Sequence, residues 1–464
     1  MAQKNGLRLV LLPLPLQGHL NPMLQLADIL HSKGFSISII HTSFNSPNPS
    51  NYPHLIFCCI QDCLTESESS TLDPLQLVIR LNIKCVTPFR EMLAKVLSDV
   101  SDEPIACLIS DALFYFTQGV ANNFKLPRIV LRTTGVPSFV PFVLFPLLIE
   151  RGYLPIKESQ LEEAVTELPP LKVKDLPMMY TKESDKIDNF IKTVSSLVNE
   201  TKASSGLIWN TFEELEPSAL SYLNKEFDIP FFPIGPFHKY YPTASSPSSS
   251  SSSSLLAQDQ SCISWLDKHK PQSVLYVSFG SLAAITETQF LDIAWGLGNS
   301  NVPFLWVVRP GMILGSEWLE PLPRGFVENL DGRGHIVKWA PQQEVLAHSA
   351  VGAFWTHSGW NSTLESICEG VPMICMPCFT DQKVNARYVS HVWKIGVQFE
   401  RGVEREEIVK MIRILMEERE GVEIRDRILS LKEKVKLCWR QQGGSSYSSL
   451  DGLVNFILSL EPNK

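Results

Sequence analysis

The chain has 464 residues, 44% of them hydrophobic and 19% charged, with a formal net charge of −8. That length suits two cores of roughly 200 residues each, and the apolar content excludes a disordered chain. The acidic balance speaks against a nucleic-acid or anionic-membrane partner, since either calls for a basic face.

The first element is an apolar run, Leu7–Leu12, that continues through Pro13 and Pro15 into Gln17-Gly18-His19. A signal peptide ends in small residues instead, and no apolar run reaches the ~18 residues of a membrane helix. The run therefore reads as a buried strand of a parallel sheet. Pro22–Lys33 reads as a helix, with Met23, Leu24, Leu26, Ala27 and Leu30 at helical spacing and Gly34 as its stop. Strands are predicted at Phe35–His41, Ile105–Ser110 and Ile129–Arg132. Strand–helix–strand order implies right-handed crossovers and a doubly wound sheet.

Past Pro233-Ile234-Gly235-Pro236, residues Ala244 to Ser254 are almost entirely serine, which reads as a solvated linker. The pattern then restarts. Strands are expected at Ser273–Phe279 (ending in Gly280-Ser281), Phe304–Val308, Ile336–Val337, Val351–Trp355 and Pro372–Met376, with a helix at Gln289–Asn299. The expected organisation is an N-terminal Rossmann-like domain over 1–240, a serine-rich linker over 241–258, a C-terminal Rossmann-like domain over 259–445, and a helix over 446–464 that packs back on the N-terminal domain. The ten cysteines read as scattered free thiols, with no C-x-x-C pair or Cys/His cluster at zinc spacing expected, and Cys58, Cys59 and Cys63 as buried members of an apolar segment. Free thiols suit a reducing, cytoplasmic setting.

Trp339 to Gln382 carries the most chemistry. A buried strand leads into Thr356-His357-Ser358-Gly359-Trp360-Asn361-Ser362-Thr363 and then a helix to about Glu369, stopped by Gly370. A strand, a glycine turn and a helix N-terminus make an anion site, because backbone N–H groups and the helix dipole face the ligand. His357 can add a donor, and Asn361 or Ser362 reads either as part of that site or as an N-cap alone. Asp381-Gln382 lies just past the next strand, where open parallel sheets bind ligands. Its carboxylate and amide suit sugar hydroxyls. Trp339 can stack on a flat base or lie in the core.

This 44-residue segment resembles the nucleotide-sugar box of plant family-1 UDP-glycosyltransferases, matching it at Trp339, Gln342, His357, Gly359, Trp360, Asn361, Ser362, Glu365, Pro372, Asp381 and Gln382. The resemblance runs from Pro15-Leu16-Gln17-Gly18-His19 to Gly443-Gly444-Ser445-Ser446, and within the family it is greatest to the branch of the steviol glycoside glucosyltransferase. It implies an α/β fold of two Rossmann-like domains facing a central cleft, of GT-B type. It also implies that Trp339 stacks on uracil and the Ala340 backbone bonds its edge. Gln342 and Glu365 hold the ribose, and His357, Asn361, Ser362 and Ser281 hold the diphosphate. Trp360, Asp381 and Gln382 contact the sugar, and Gln at the last box position goes with glucose. No metal or other cofactor is implied. The expected partners are a UDP-sugar donor and a small lipophilic acceptor, with no nucleic acid, no membrane insertion and a monomeric chain.

A hydroxyl attacking C1 of a sugar needs a base, and His19, after the first strand, is the natural one at neutral pH. Asp111, after Ile105–Ser110, can orient it, as a carboxylate does in a hydrolase triad. The pair resembles the family's His–Asp dyad, and single displacement on an α-linked donor gives a β-glucoside. Thr134–Ile149 and Phe114-Tyr115-Phe116 are candidates for an apolar acceptor pocket. The alternatives are another UDP-sugar and a non-catalytic binder. A Rossmann oxidoreductase is disfavoured, because no G-x-G-x-x-G follows the first strand.

Overall fold

A computed structural model describes residues 5–61, 64, 73–99, 103–178, 184–240, 254–400 and 402–461. Residues 241–253 of the expected linker, and Cys63, lie outside them. The chain divides into two compact units: Met1–Pro146 with Tyr180–Leu255 and Leu437–Lys464, and Leu147–Met179 with Leu256–Lys436. Two stretches thus differ from the expected boundaries. Leu147–Met179, expected in the N-terminal domain, groups with the second unit, where Asp175 pairs with buried Arg387. Residues 437–445 group with the first unit.

The first unit holds a seven-stranded sheet of β1 (Arg8–Leu12), β2 (Ser36–Thr42), β3 (Ile56–Ile60), β4 (Ile105–Asp111), β5 (Arg128–Arg132), β6 (Gly206–Trp209) and β7 (Phe231–Pro233). The order is β3-β2-β1-β4-β5-β6-β7 and every pairing is parallel. Successive residues of a strand face opposite sides, so Leu9 and Leu11 join one core and Val10 and Leu12 another. Both faces are covered, which is why β1 and β4 read as unbroken apolar runs. The helix Ser445–Ser459 buries Leu450, Leu453 and Ile457 in the same core as Leu9 and Phe232. Ser446 Oγ donates to Gly235 O at 2.6 Å and Ser445 Oγ to Glu214 at 2.7 Å, so the Gly-Gly-Ser-Ser motif docks on Pro233-Ile234-Gly235-Pro236.

The first helix corrects one expectation. It spans Gln17–Ser32, with Pro22 inside it rather than at its start. A proline there forgoes the N–H that reaches back four residues, and the residue that keeps its carbonyl is the small Gly18. His19 therefore stands in the first helical turn. The cysteines bring two further corrections. Cys58 is half-buried and Cys59 exposed, because β3 is the edge strand. Cys375 and Cys378 do stand at C-x-x-C spacing. Burial pushes their thiols up to about 12 and about 11, opposite to the lowered pKa of a redox-active thiol.

The second unit holds β8 (Val274–Ser278), β9 (Phe304–Val307), β10 (Gly334–Val337), β11 (Val351–Thr356), β12 (Met373–Cys375) and β13 (Gly396–Gln398), ordered β10-β9-β8-β11-β12-β13 and all parallel. The Glu287–Asn299 helix opens on a capping box in which Thr286 and Gln289 satisfy each other's backbone N–H. The Trp360–Glu369 helix ends on Gly370 at φ 71°, a left-handed stop that glycine adopts without strain. Among the described residues, no helix is long and apolar enough to cross a membrane.

Candidate active site

In each sheet the strand order reverses once, between β1 and β4 in the first and between β8 and β11 in the second. Ligands of open parallel sheets bind beyond the carboxyl ends of strands at such a reversal. His19 and Asp111 fall at the first reversal, and Ser281 and the 357–362 turn at the second, whereas Trp339, Ala340 and Gln342 follow β10, and Asp381 and Gln382 follow β12.

In the first unit, Asp111 ends β4 and is fully buried. Its Oδ2 lies 2.8 Å from His19 Nδ1, and its Oδ1 accepts the Leu113 N–H at 2.8 Å. An ionised carboxylate only accepts hydrogen bonds, so the imidazole proton sits on Nδ1 and the lone pair on Nε2. That is the tautomer of a base. Thr133, just past β5, brings Oγ1 within 2.9 Å of the same Nδ1. Sequence reasoning missed Thr133, although its place after a predicted strand end was the available signal.

Three residues on, the Val136 N–H donates to Glu216 Oε2 at 3.2 Å. Glu216 is 3% exposed, and burial pushes its carboxyl from 4.5 up to about 8. The folded state thus favours the protonated acid. Its contribution to stability is complete below the ordinary value and is lost as pH rises through about 8. The melting temperature is expected to decline across that window in the wild type and to stay flatter in Glu216→Gln. Parallel melting curves for the two proteins between pH 5 and 9 would count against this assignment.

The expected acceptor residues split. Phe114, Val136 and Phe139 are fully buried and belong to the core, so they do not line a pocket. Leu113, Tyr115, Phe116, Phe142, Val143 and Leu144 are half-buried.

In the second unit, Gln342 opens a helix and reaches three neighbours. Its Nε2 donates to Glu365 Oε2 at 2.7 Å and to Ser362 Oγ at 2.9 Å, and its Oε1 accepts the Tyr276 hydroxyl at 3.2 Å. Gln343 Nε2 donates to Glu365 Oε1 at 2.9 Å. Two amides thus fix the orientation of the Glu365 carboxylate. Trp339 is half-buried and Ala340 buried; Trp339 O accepts the Asp259 N–H at 2.9 Å.

His357 lies between two glycines. A Cβ on Gly280 would stand 2.6 Å from its Cε1 and Nε2, and one on Gly359 2.5 Å from its Nε2. Burial pushes the imidazole down to about 4, so it is neutral at pH 7. Its Nδ1 is buried with no partner among the described residues. A buried orphan acceptor costs less than a buried orphan donor, which favours the proton on Nε2. Ser358, fully buried, holds φ 64°, and Gly359 is the N-cap of the Trp360–Glu369 helix. The cap thus falls on Gly359, with Asn361 and Ser362 in the first turn. Ser281 follows Gly280 just past β8.

The Trp360 indole is 3% exposed, so this residue can offer the site its backbone but not its ring. Gln382 is 5% exposed, and its Oε1 accepts the N–H groups of Cys378 at 2.9 Å and Phe379 at 3.3 Å. That leaves its NH2 as the group to present. Asn385, which sequence reasoning missed, joins Asp381 Oδ2 at 3.2 Å to Ser358 O at 3.0 Å. Among the described residues, no group of three or more His, Cys, Asp or Glu side chains is disposed to hold a metal ion.

A pair of all-parallel α/β units, one with a His–Asp pair at its reversal point and one with a glycine-lined helix N-terminus at its own, is the make-up of a GT-B glycosyltransferase. The family model described as UDP-glucoronosyl and UDP-glucosyl transferase matches residues 92–424. The chain is 53% identical to UDP-glycosyltransferase 76B1 of Arabidopsis thaliana, over 97% of each chain. It is 48% identical to UDP-glycosyltransferase 76G1 of Stevia rebaudiana, over 98% of this chain and 97% of that one. Its fold matches the crystal structure of a UDP-glucose:anthocyanidin 3-O-glucosyltransferase in complex with UDP, with TM-score 0.83 and 26% identity, over 98% of this chain and 100% of that one. The chain belongs to the UDP-glycosyltransferases of plant family 1.

Proposed function

We propose that this enzyme transfers glucose from UDP-glucose to a hydroxyl of a small lipophilic plant metabolite, with inversion to a β-glucoside. The observation that carries the reading is the His19–Asp111 pair, whose geometry puts a lone pair on Nε2 at the reversal point of the first sheet. His19 takes the acceptor proton, the freed oxygen forms a bond to C1, and the C1–phosphate oxygen bond breaks with its electron pair leaving on UDP. The leaving charge is met by the first-turn N–H groups of the Trp360–Glu369 helix and by Nε2–H of neutral His357. No metal ion takes part in this scheme. Trp339 stacks on uracil, the Ala340 backbone bonds its edge, and Glu365, steadied by Gln342 and Gln343, accepts from the ribose. Asn361, Ser362 and Ser281 serve the diphosphate, while Asp381 and the Gln382 amide serve the sugar with the Trp360 backbone.

The glucose assignment rests on Gln382, and the acceptor class on the half-buried apolar residues 113, 115–116 and 142–144 together with the anthocyanidin named as acceptor for one structural relative. A reducing, cytoplasmic setting is proposed from the free cysteines. The test is incubation of the purified protein with UDP-glucose, and separately with other UDP-sugars, against phenols, terpenoid alcohols, carboxylic acids and existing glucosides, with and without a chelator. Mass spectrometry and the anomeric proton coupling read the products. A β-glucoside from UDP-glucose, undiminished by chelation, is expected. Preference for another UDP-sugar would overturn the donor, an α-product would overturn the displacement, and tight UDP binding with no glycoside from any acceptor would make the protein a binder.

A further inference from the structure

Leu147–Met179 follows the helix Val136–Val143 of the first unit in sequence, yet it packs within the second. What holds it there is a buried charge cluster. Arg387, its side chain 1% exposed, sets Nε 2.8 Å from Asp175 Oδ2 and Nη2 3.1 Å from Asp175 Oδ1. The same guanidinium reaches Glu400, with Nη1 2.8 Å from Oε1 and Nη2 3.2 Å from Oε2. Asp175, 4% exposed at its side chain, also accepts the Lys172 N–H at 2.8 Å. Lys174 Nζ lies 2.7 Å from both Glu400 and Glu162. The Glu162 end is in water, where such pairs contribute little. The Arg387–Asp175 fork is the dry part.

Arg387 ends the Asp381–Arg387 helix, whose first turn carries Asp381 and Gln382. One turn before Arg387, Lys383 Nζ donates to Met178 O at 3.2 Å. Positions i and i+4 share one helix face, so residues 175–178 grip this helix at two points on one side. On another side Asn385 ties the same helix to Ser358 O, beside His357. The helix is therefore pinned between the 175–178 stretch and the glycine turn, with Asp381 and Gln382 in its first turn.

We propose that Asp175 and Arg387 are positioning residues for the donor sugar: the 171–178 stretch acts as a strap that fixes the Asp381–Arg387 helix and, through it, Asp381 and Gln382. This rests on the reading of Asp381 and Gln382 as sugar contacts. The choice of a buried ion pair supports it. Apolar replacement of such a pair is often neutral or stabilising, whereas a bidentate fork fixes direction and register. Stability alone does not call for Asp175 and Arg387; a fixed helix does.

The test compares Asp175→Asn and the apolar double variant Asp175→Leu/Arg387→Met with wild type. Three quantities are read: kcat/KM for UDP-glucose, the inhibition constant of UDP, and the melting temperature. The residues read as uracil, ribose and diphosphate contacts lie outside the Asp381–Arg387 helix, and the Asn385–Ser358 bond that joins this helix to the glycine turn is left in place by both variants. A displaced sugar contact should therefore lower kcat/KM about ten- to a hundredfold and leave UDP inhibition within about twofold. The double variant should keep its melting temperature close to wild type and still show that split. Unchanged kcat/KM in Asp175→Asn, or equal losses in kcat/KM and UDP affinity, would overturn the strap. Asp175→Asn is nearly isosteric and keeps the test decisive if the double variant does not fold. Gln382→Ala is run beside them. If it leaves kcat/KM intact, the sugar-contact reading has failed; if it lowers kcat/KM and Asp175→Asn does not, only the strap has.

Discussion

His19→Ala is expected to lower kcat for glucosyl transfer by about a thousandfold, with the dissociation constant for UDP unchanged. The geometry dictates both halves of this result. The proton on Nδ1 is committed to Asp111 at 2.8 Å, so the basic lone pair is on Nε2, and alanine removes it. The residues proposed to bind UDP belong to the second unit and keep their own hydrogen bonds. Truncation also takes from buried Asp111 its charged-state partner and leaves the Leu113 N–H on Oδ1. A buried carboxylate stripped of a partner costs ~1–3 kcal/mol or more, so a loss of rate could arise from a loss of fold. His19→Gln separates the two: its amide can still donate towards Asp111 but takes no proton. Asp111→Asn attacks the same step from the other side. Its amide can donate to Nδ1, which moves the imidazole proton to Nε2 and removes the lone pair, as in the hydrolase precedent. Initial rates at saturating substrate, titration with UDP and thermal melts on all three variants decide the matter. Transfer at more than a few per cent of wild type in folded His19→Gln would sink the base assignment.

The parts of this site that were legible in sequence are those marked by a strand end. His19 and Asp111 each follow a run of buried aliphatics, β1 and β4, whose apolar patterning needs no partner to be recognised. The box from Trp339 to Gln382 was legible because β11, a glycine turn and a helix follow one another without a gap. What stayed hidden has physical causes. β7 and β13 span three residues each, too short for any period, and β3 is a half-exposed edge. The first helix begins before Pro22 because tertiary packing of Leu20, Met23 and Leu24 outweighs the proline's preference for a first turn. Thr133, Tyr276, Gln343 and Asn385 are ordinary polar residues until the fold brings them to His19, Gln342, Glu365 and Asp381. The Asp175–Arg387 pair spans 212 positions of sequence, and no local pattern announces a partner at that distance.

In the second unit the largest expected effect comes from a single added methyl group. Gly280→Ala should raise KM for the UDP-sugar about a hundredfold, through displacement of one hydrogen-bond donor from the diphosphate. Gly280 holds φ 72°, and its Cβ would stand 2.6 Å from both Cε1 and Nε2 of His357. Real Cβ contacts do not come so close, so the ring or the loop must move. A Cβ on Gly359 would likewise lie 2.5 Å from Nε2, so the ring is closely approached by a second glycine as well. His357 would therefore leave the position from which its Nε2–H is proposed to meet the leaving phosphate. The left-handed backbone adds a strain of ~1 kcal/mol for alanine, which by itself lowers stability without touching KM. Gly315→Ala isolates that term: Gly315 has φ 86° in the same unit, with nothing within 4 Å of a Cβ. It should melt a few degrees lower and keep its KM. Steady-state kinetics and melts of the two variants, with His357→Ala as the limiting case, read the difference. Gly280→Ala should approach His357→Ala in KM. Because burial holds His357 neutral down to about 4, the KM defect should also be constant between pH 6 and 8. A KM for Gly280→Ala that matched Gly315→Ala would show that the ring does not need its glycine, and that His357 is not the donor the diphosphate meets.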